Sequence, residues 1–117
     1  MRKFLAVFTG TPENMEKWMA LSEAKRNENE RKGKEAWKNW ATTNSARIKD
    51  MGGPLGETKR VDSTGIHDTR NSMAAYTIVE ASSHGEAAKL FVKHPHFSIF
   101  PGDGVEIMEV LAIPVMK

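Results

Sequence analysis

The chain has 117 residues, 39% of them hydrophobic and 27% charged, which suffices for one domain with one core and is too short for two. It contains no cysteine, so a disulfide framework, a thiolate zinc site and a cysteine nucleophile are all excluded, and a reducing, cytoplasmic setting is expected. The net charge is only +2, with acidic and basic residues interleaved, which argues against nucleic acid as the partner, and no apolar stretch nears the roughly 20 residues that cross a membrane.

Met1-Arg2-Lys3 followed by Phe4 to Phe8 starts like a signal peptide, but the apolar run stops at Thr9-Gly10 without a small-residue cleavage site. Residues 2–8 therefore read as a buried strand, closed by the turn chemistry of Thr9-Gly10-Thr11-Pro12. Thr11 is a good helix N-cap, with Pro12 at the first helical position and Glu13 in the first turn. The short helix it opens is expected to bury Met15, Trp18 and Met19, spaced i, i+3, i+4. Ser22 caps a longer helix running to about Thr43, charged and solvated over Glu23 to Glu35. Trp37, Trp40 and Ala41 then restore an apolar stripe, and Asn44 is placed to stop the helix in the left-handed conformation. Tryptophans three residues apart serve either packing or the wall of a ligand pocket.

Ala46 to Met51 reads as a strand, Gly52-Gly53-Pro54-Leu55-Gly56 as an irregular segment, and Glu57 to Asp62 as another strand closed by Asp62-Ser63-Thr64-Gly65. His67-Asp68, with Arg70 and Asn71, falls in a loop. Met73 to Ala81 has strand composition around Tyr76-Thr77-Ile78-Val79. Ser83 and Glu86 form a capping box before a helix that buries Ala87, Leu90 and Phe91, and Pro95 forbids its continuation. After a loop through Gly104, residues Val105 to Leu111 give the last strand, ending by Pro114. The order β, two helices, three β, α, β suggests a single domain over 1–117 of α+β class, a ferredoxin-like split βαβ antiparallel sheet with its helices on one face. The other face is left bare, and a homodimer that lays this face against its own copy is the simplest cover.

The chain resembles the YCII-related (DGPF-type) family of small bacterial proteins, of the dimeric α+β barrel superfamily. The resemblance is nearly end to end and is carried by Gly52-Gly53-Pro54-Leu55-Gly56 with Thr58-Lys59-Arg60-Val61, by His94-Pro95-His96-Phe97, and by Pro101-Gly102 leading into Val105-Glu106 and Met108-Glu109. It implies a homodimer whose sheets close into a barrel, with a pocket between each sheet and its helices. It also implies genomic association with sigma factors. Some members of the family are proposed enzymes, on a histidine near the first helices and an aspartate before the Gly-Pro segment. Residues 30–46 hold no His and no Asp, so that dyad does not carry over.

Histidine is the side chain that titrates near neutrality, so acid or base chemistry starts with the four present. His94 and His96 flank a proline that favours extended geometry, which would point both rings the same way, and Asp103 is close enough in sequence to orient one of them or to add a metal ligand. The competing reading makes His94 a cation in the last turn of its helix and His96 a loop residue. Arg60, beside Lys59 and a glycine-rich segment, could meet an anion, although the segment lacks P-loop or dinucleotide spacing. No Gly-x-Ser-x-Gly elbow and no calcium-loop spacing occur. The expectation is a protein that binds a small aromatic or anionic metabolite. Its pocket would be lined by Trp37, Trp40, Tyr76 and Phe97, with Arg60 on an anion and His94, His96 and Asp103 for acid/base catalysis. No metal site is assigned and no cofactor is identified. The alternative is a non-catalytic binding or regulatory module linked to transcription control.

Overall fold

The computed structural model describes residues 1–114; residues 115–117, the end of the expected domain, lie outside the described residues. Strand β1 (Arg2–Gly10) is the axis of the molecule. Its alternation puts Phe4, Ala6 and Phe8 on one face, where each is fully buried. It pairs antiparallel on one side with β5 (Met73–Ala81) and on the other with β6 (Gly102–Glu109), and β2 (Ile48–Pro54) completes the sheet along β5. The resulting order β2-β5-β1-β6 is the split βαβ arrangement, antiparallel throughout, that the element order leads one to expect.

Between β1 and β2 run α1 (Pro12–Met19) and α2 (Glu23–Thr43); between β5 and β6 run α3 (His84–Lys89) and a single helical turn, α4 (Pro95–Ser98). The caps are those the sequence offers: Thr11 accepts from the Asn14 amide, Ser22 from Lys25 and Ser83 from Glu86. Trp37 and Trp40 of α2, Ala87 of α3, and Leu90 and Phe91 just beyond it pack on Phe4, Phe8, Val79 and Ala81, forming the core. The Trp40 indole N–H also donates to the Leu90 carbonyl at 2.7 Å, tying the end of α2 to the end of α3.

Several expectations are corrected. The helix α1 buries none of its residues: Met15 and Met19 are 51% and 60% exposed, because α1 packs mainly near the start of β6, where Trp18 meets Phe100 at 6.0 Å between ring centroids. Asn44 ends α2 at φ −104°, outside the left-handed region, with its side-chain amide on the Trp40 carbonyl. Gly52-Gly53-Pro54 belongs to β2, which follows β5 through register shifts at Asp50 and Gly53. His67 and Asp68 lie on a strand: β3 (Thr58–Asp62) and β4 (Gly65–Thr69) form a separate two-stranded hairpin. Asp62 makes its turn by accepting from the amide and hydroxyl of Thr64. The His94-Pro95-His96 segment is the start of a helical turn: His94 is extended at ψ 141°, as a residue before proline must be, and Pro95 then supplies the first helical φ.

Candidate functional site

Lys34, Trp37 and Lys38 stand at i, i+3 and i+4 on α2 and so share the helix face that looks across at the sheet. Opposite them are Met51 to Pro54 of β2 and Ala75 to Thr77 of β5; Phe8 and Phe100 complete a pocket of about 540 Å³ with predominantly apolar walls. The rim at β2 depends on Gly52, whose φ is +63° and where a Cβ would come within 2.0 Å of the Tyr76 carbonyl oxygen. The Gly52 amide donates to Asp50 Oδ1 at 2.8 Å and the Thr77 hydroxyl donates to the Met51 carbonyl at 2.9 Å, which fixes that rim. At the mouth, Lys34 is paired with Glu30 at 2.9 Å, whereas Lys38 has no ion-pair partner among the described residues. An apolar, aromatic slot with, at its mouth, a cation unpaired among the described residues suits a flat ring carrying an acidic substituent.

His94 and His96 both sit below this pocket, in contact with Phe8, and they are not equivalent. His94 is wholly buried, with the rings of Trp37 and Trp40 each 4.5 Å away and near perpendicular. Its Nδ1 accepts the His96 backbone amide at 3.0 Å, so the neutral ring carries its proton on Nε2, which finds no N or O partner. Desolvation, with His96 close by, pushes its pKa down to about 4, and the ring is uncharged at neutral pH. The alternative of a helix-terminal cation thus does not describe His94. The His96 ring is anchored by Nε2 on the Thr9 carbonyl at 2.6 Å.

Asp103 accepts from the Thr9 hydroxyl and bonds to neither imidazole, so the expected cluster of His94, His96 and Asp103 does not assemble: the β6 register turns the carboxylate to the Thr9 side chain. Among the described residues no group of three or more His, Asp or Glu side chains is arranged to hold a metal ion. Of the expected lining, Trp37 faces the pocket, Tyr76 borders it from β5 with its side chain turned by the Val7 register to the other face of the sheet, and Trp40 is beneath it in the core. Phe97, 37% exposed, lines none of the pockets described, because the helical turn at Pro95 directs it outward. Arg60 lies on the β3–β4 hairpin, paired with Asp62 at 3.0 Å, away from the pocket. His67 shares that hairpin and bonds to Thr64. Phe8, Phe100, Lys34 and Lys38 were missed; only the two lysines flanking Trp37 on one helix face left a signal in the sequence.

No family model and no curated protein matches the chain. Among solved structures it is similar to 5-chloro-2-hydroxyhydroquinone dehydrochlorinase (TftG) from Burkholderia phenoliruptrix AC1100, in its complex with 2,5-dihydroxybenzoquinone. The similarity has 17% sequence identity and a TM-score of 0.53, over 91% of this chain and 90% of that one. At that identity the likeness is one of fold: this chain shares the α+β architecture, antiparallel sheet with packed helices, of that protein.

Proposed function

We propose that the protein binds a small aromatic, acidic metabolite in the pocket between α2 and the sheet. The observation that carries this reading is the pairing of an aromatic slot, built from Phe8, Trp37 and Phe100, with Lys38, which has no ion-pair partner among the described residues, at its mouth. The similar fold of a dehydrochlorinase that holds a flat, oxygenated ring supports the same ligand class. Titration of the protein with benzoate and with benzamide, followed by tryptophan fluorescence, tests it. Benzoate should quench more strongly, Trp37→Leu should abolish the response, and Lys38→Gln should remove the preference for the carboxylate. Equal, weak responses to both rings in all three proteins would overturn the reading.

A second reading is a binding or regulatory module without turnover. It is favoured by one observation: the His94 ring is sealed in the core with Nδ1 on a backbone amide, and Asp103 Oδ1 is on the Thr9 hydroxyl, which leaves no assembled acid/base group of the expected kind. Turnover by His96 alone is the enzymatic version of the proposal. We also infer a single domain over 1–117, membership of the YCII-related family, supported by the Gly52 to Gly56 and His94 to Phe97 motifs, a cytoplasmic location, and a homodimer.

A further inference from the structure

Beyond Phe100 lies a second, smaller cavity of about 270 Å³. Met15 of α1, the segment from Asn71 to Ala74 entering β5, and the segment from Phe100 to Gly102 entering β6 line it, with His96 in its wall. Phe100 lines both cavities, and Ala74 and Ala75, consecutive residues, line one each. The Phe100 ring lies directly on the α2 backbone, since a Cβ on Gly33 would reach its edge at 2.5 Å.

His96 is only 8% exposed, and its protonation pattern can be read from its partners. A carbonyl only accepts, so the 2.6 Å contact with Thr9 puts a hydrogen on Nε2, and the neutral ring is left with a bare Nδ1. Gly102 keeps the ring in that pose: a Cβ there would fall 2.1 Å from Nε2. Nδ1 bonds to no described residue, yet it is not sealed, for among the described residues His94 Nε2 is the one buried side-chain N or O that is both sealed and unpartnered. Of the other polar side chains of the cavity wall, Ser72 makes no side-chain hydrogen bond among the described residues and two are engaged. Thr11 accepts from Asn14, and Asn71 donates to Thr58 and accepts from Met73. A cavity wall that holds a buried imidazole with a spare acceptor fits a hydroxyl donor.

We propose that the two cavities form one site for a hydroxylated aromatic ring, with His96 Nδ1 as the acceptor of the ligand's hydroxyl proton. This rests on the aromatic-pocket reading above and adds the chemical identity of the second substituent. The ligand O–H donates to Nδ1; where that hydroxyl is acidic enough the proton crosses, leaving a phenolate and an imidazolium whose Nε2–H remains on the Thr9 carbonyl.

The test compares phenol with anisole, which keeps the ring and the oxygen but cannot donate, on protein carrying ¹⁵N-labelled histidine. Phenol should bind roughly five-fold more tightly than anisole, as one added hydrogen bond allows, and should shift the bare Nδ1 resonance of His96 while leaving that of His94 in place. In His96→Gln the preference should vanish while both rings still quench Trp37. Equal quenching by both rings in the wild type, with the Nδ1 resonance unmoved, would overturn the proposal and leave the aromatic pocket standing. Absence of Trp37-dependent quenching by either ring would overturn both. The wild-type measurements decide the matter even if the variant fails to fold.

Discussion

Two histidines separated by one proline have opposite fates because each backbone amide and carbonyl nearby claims a different ring nitrogen. His94 caps the turn that presents His96, and its burial keeps it neutral. Its folded-state pKa, about 4, lies below the ordinary 6.5, so the unfolded chain binds the extra proton first. Stability from this group is complete above pH 6.5 and is lost as pH falls toward 4. The full shift would be worth roughly 3 kcal/mol at 1.36 per unit, and because pH 4.5 stops short of the folded-state pKa the expected loss is on the order of 2 kcal/mol. Urea unfolding at pH 7.5 and pH 4.5 checks this, and His94→Asn, which retains a capping acceptor, should flatten the difference. Gly52 makes a second residue-scale prediction. Alanine there meets both the left-handed penalty of about 1–2 kcal/mol and the Tyr76 carbonyl 2.0 Å away, so Gly52→Ala should lose at least about 2 kcal/mol and distort the pocket rim. A urea midpoint unchanged from wild type would contradict the close approach.

At the scale of elements, the parts that were legible in sequence are those governed by local chemistry. Thr11, Ser22 and Ser83 are caps because a side-chain oxygen needs only an amide three residues on, and the sheet order follows from the order of strands and helices once crossovers are taken as packed helices. The site was less legible. Trp37 and Tyr76 stand in composition-rich segments, but Phe8 and Phe100 line one pocket from 92 residues apart in the chain, and no local pattern announces that. The β3–β4 hairpin was half seen, since Ile66 to Thr69 lacks the β-branched density that marked Tyr76 to Val79. Its isolation has a measurable consequence. A two-stranded hairpin is marginal in water, and Val61 and Ile66 are 74% and 69% exposed, whereas β1 is paired along both edges. Amide hydrogen exchange should therefore be fast throughout 58–69 and slowest in 4–8. Trp40→Phe tests the seam between α2 and α3: loss of the indole bond to Leu90 should cost about 1 kcal/mol without altering exchange in the hairpin.

The whole molecule presents one sheet face to its helices, and among the described residues no helix covers the other. On that second face the registers place Leu5 beside Ile78 and Met108, and Val7 beside Tyr76, an apolar patch bordered by the ions Lys3, Glu80 and Glu106. A contiguous apolar face with a charged border is the composition of a self-association surface, and a two-fold axis through it would set the patch of one copy on that of the next. The expected result is sedimentation at twice the 13.1 kDa of the chain. Leu5→Glu, which places two like charges near the axis, should give a folded monomer with unchanged helix and strand signal in circular dichroism, because Leu5 faces away from the Phe4–Phe8 core. Aromatic binding should survive in that monomer, since Phe8, Trp37 and Phe100 lie on the helix side of the same sheet. A wild type that sediments as a monomer at micromolar concentration would leave the patch unoccupied and the homodimer disproved, with the pocket reading untouched.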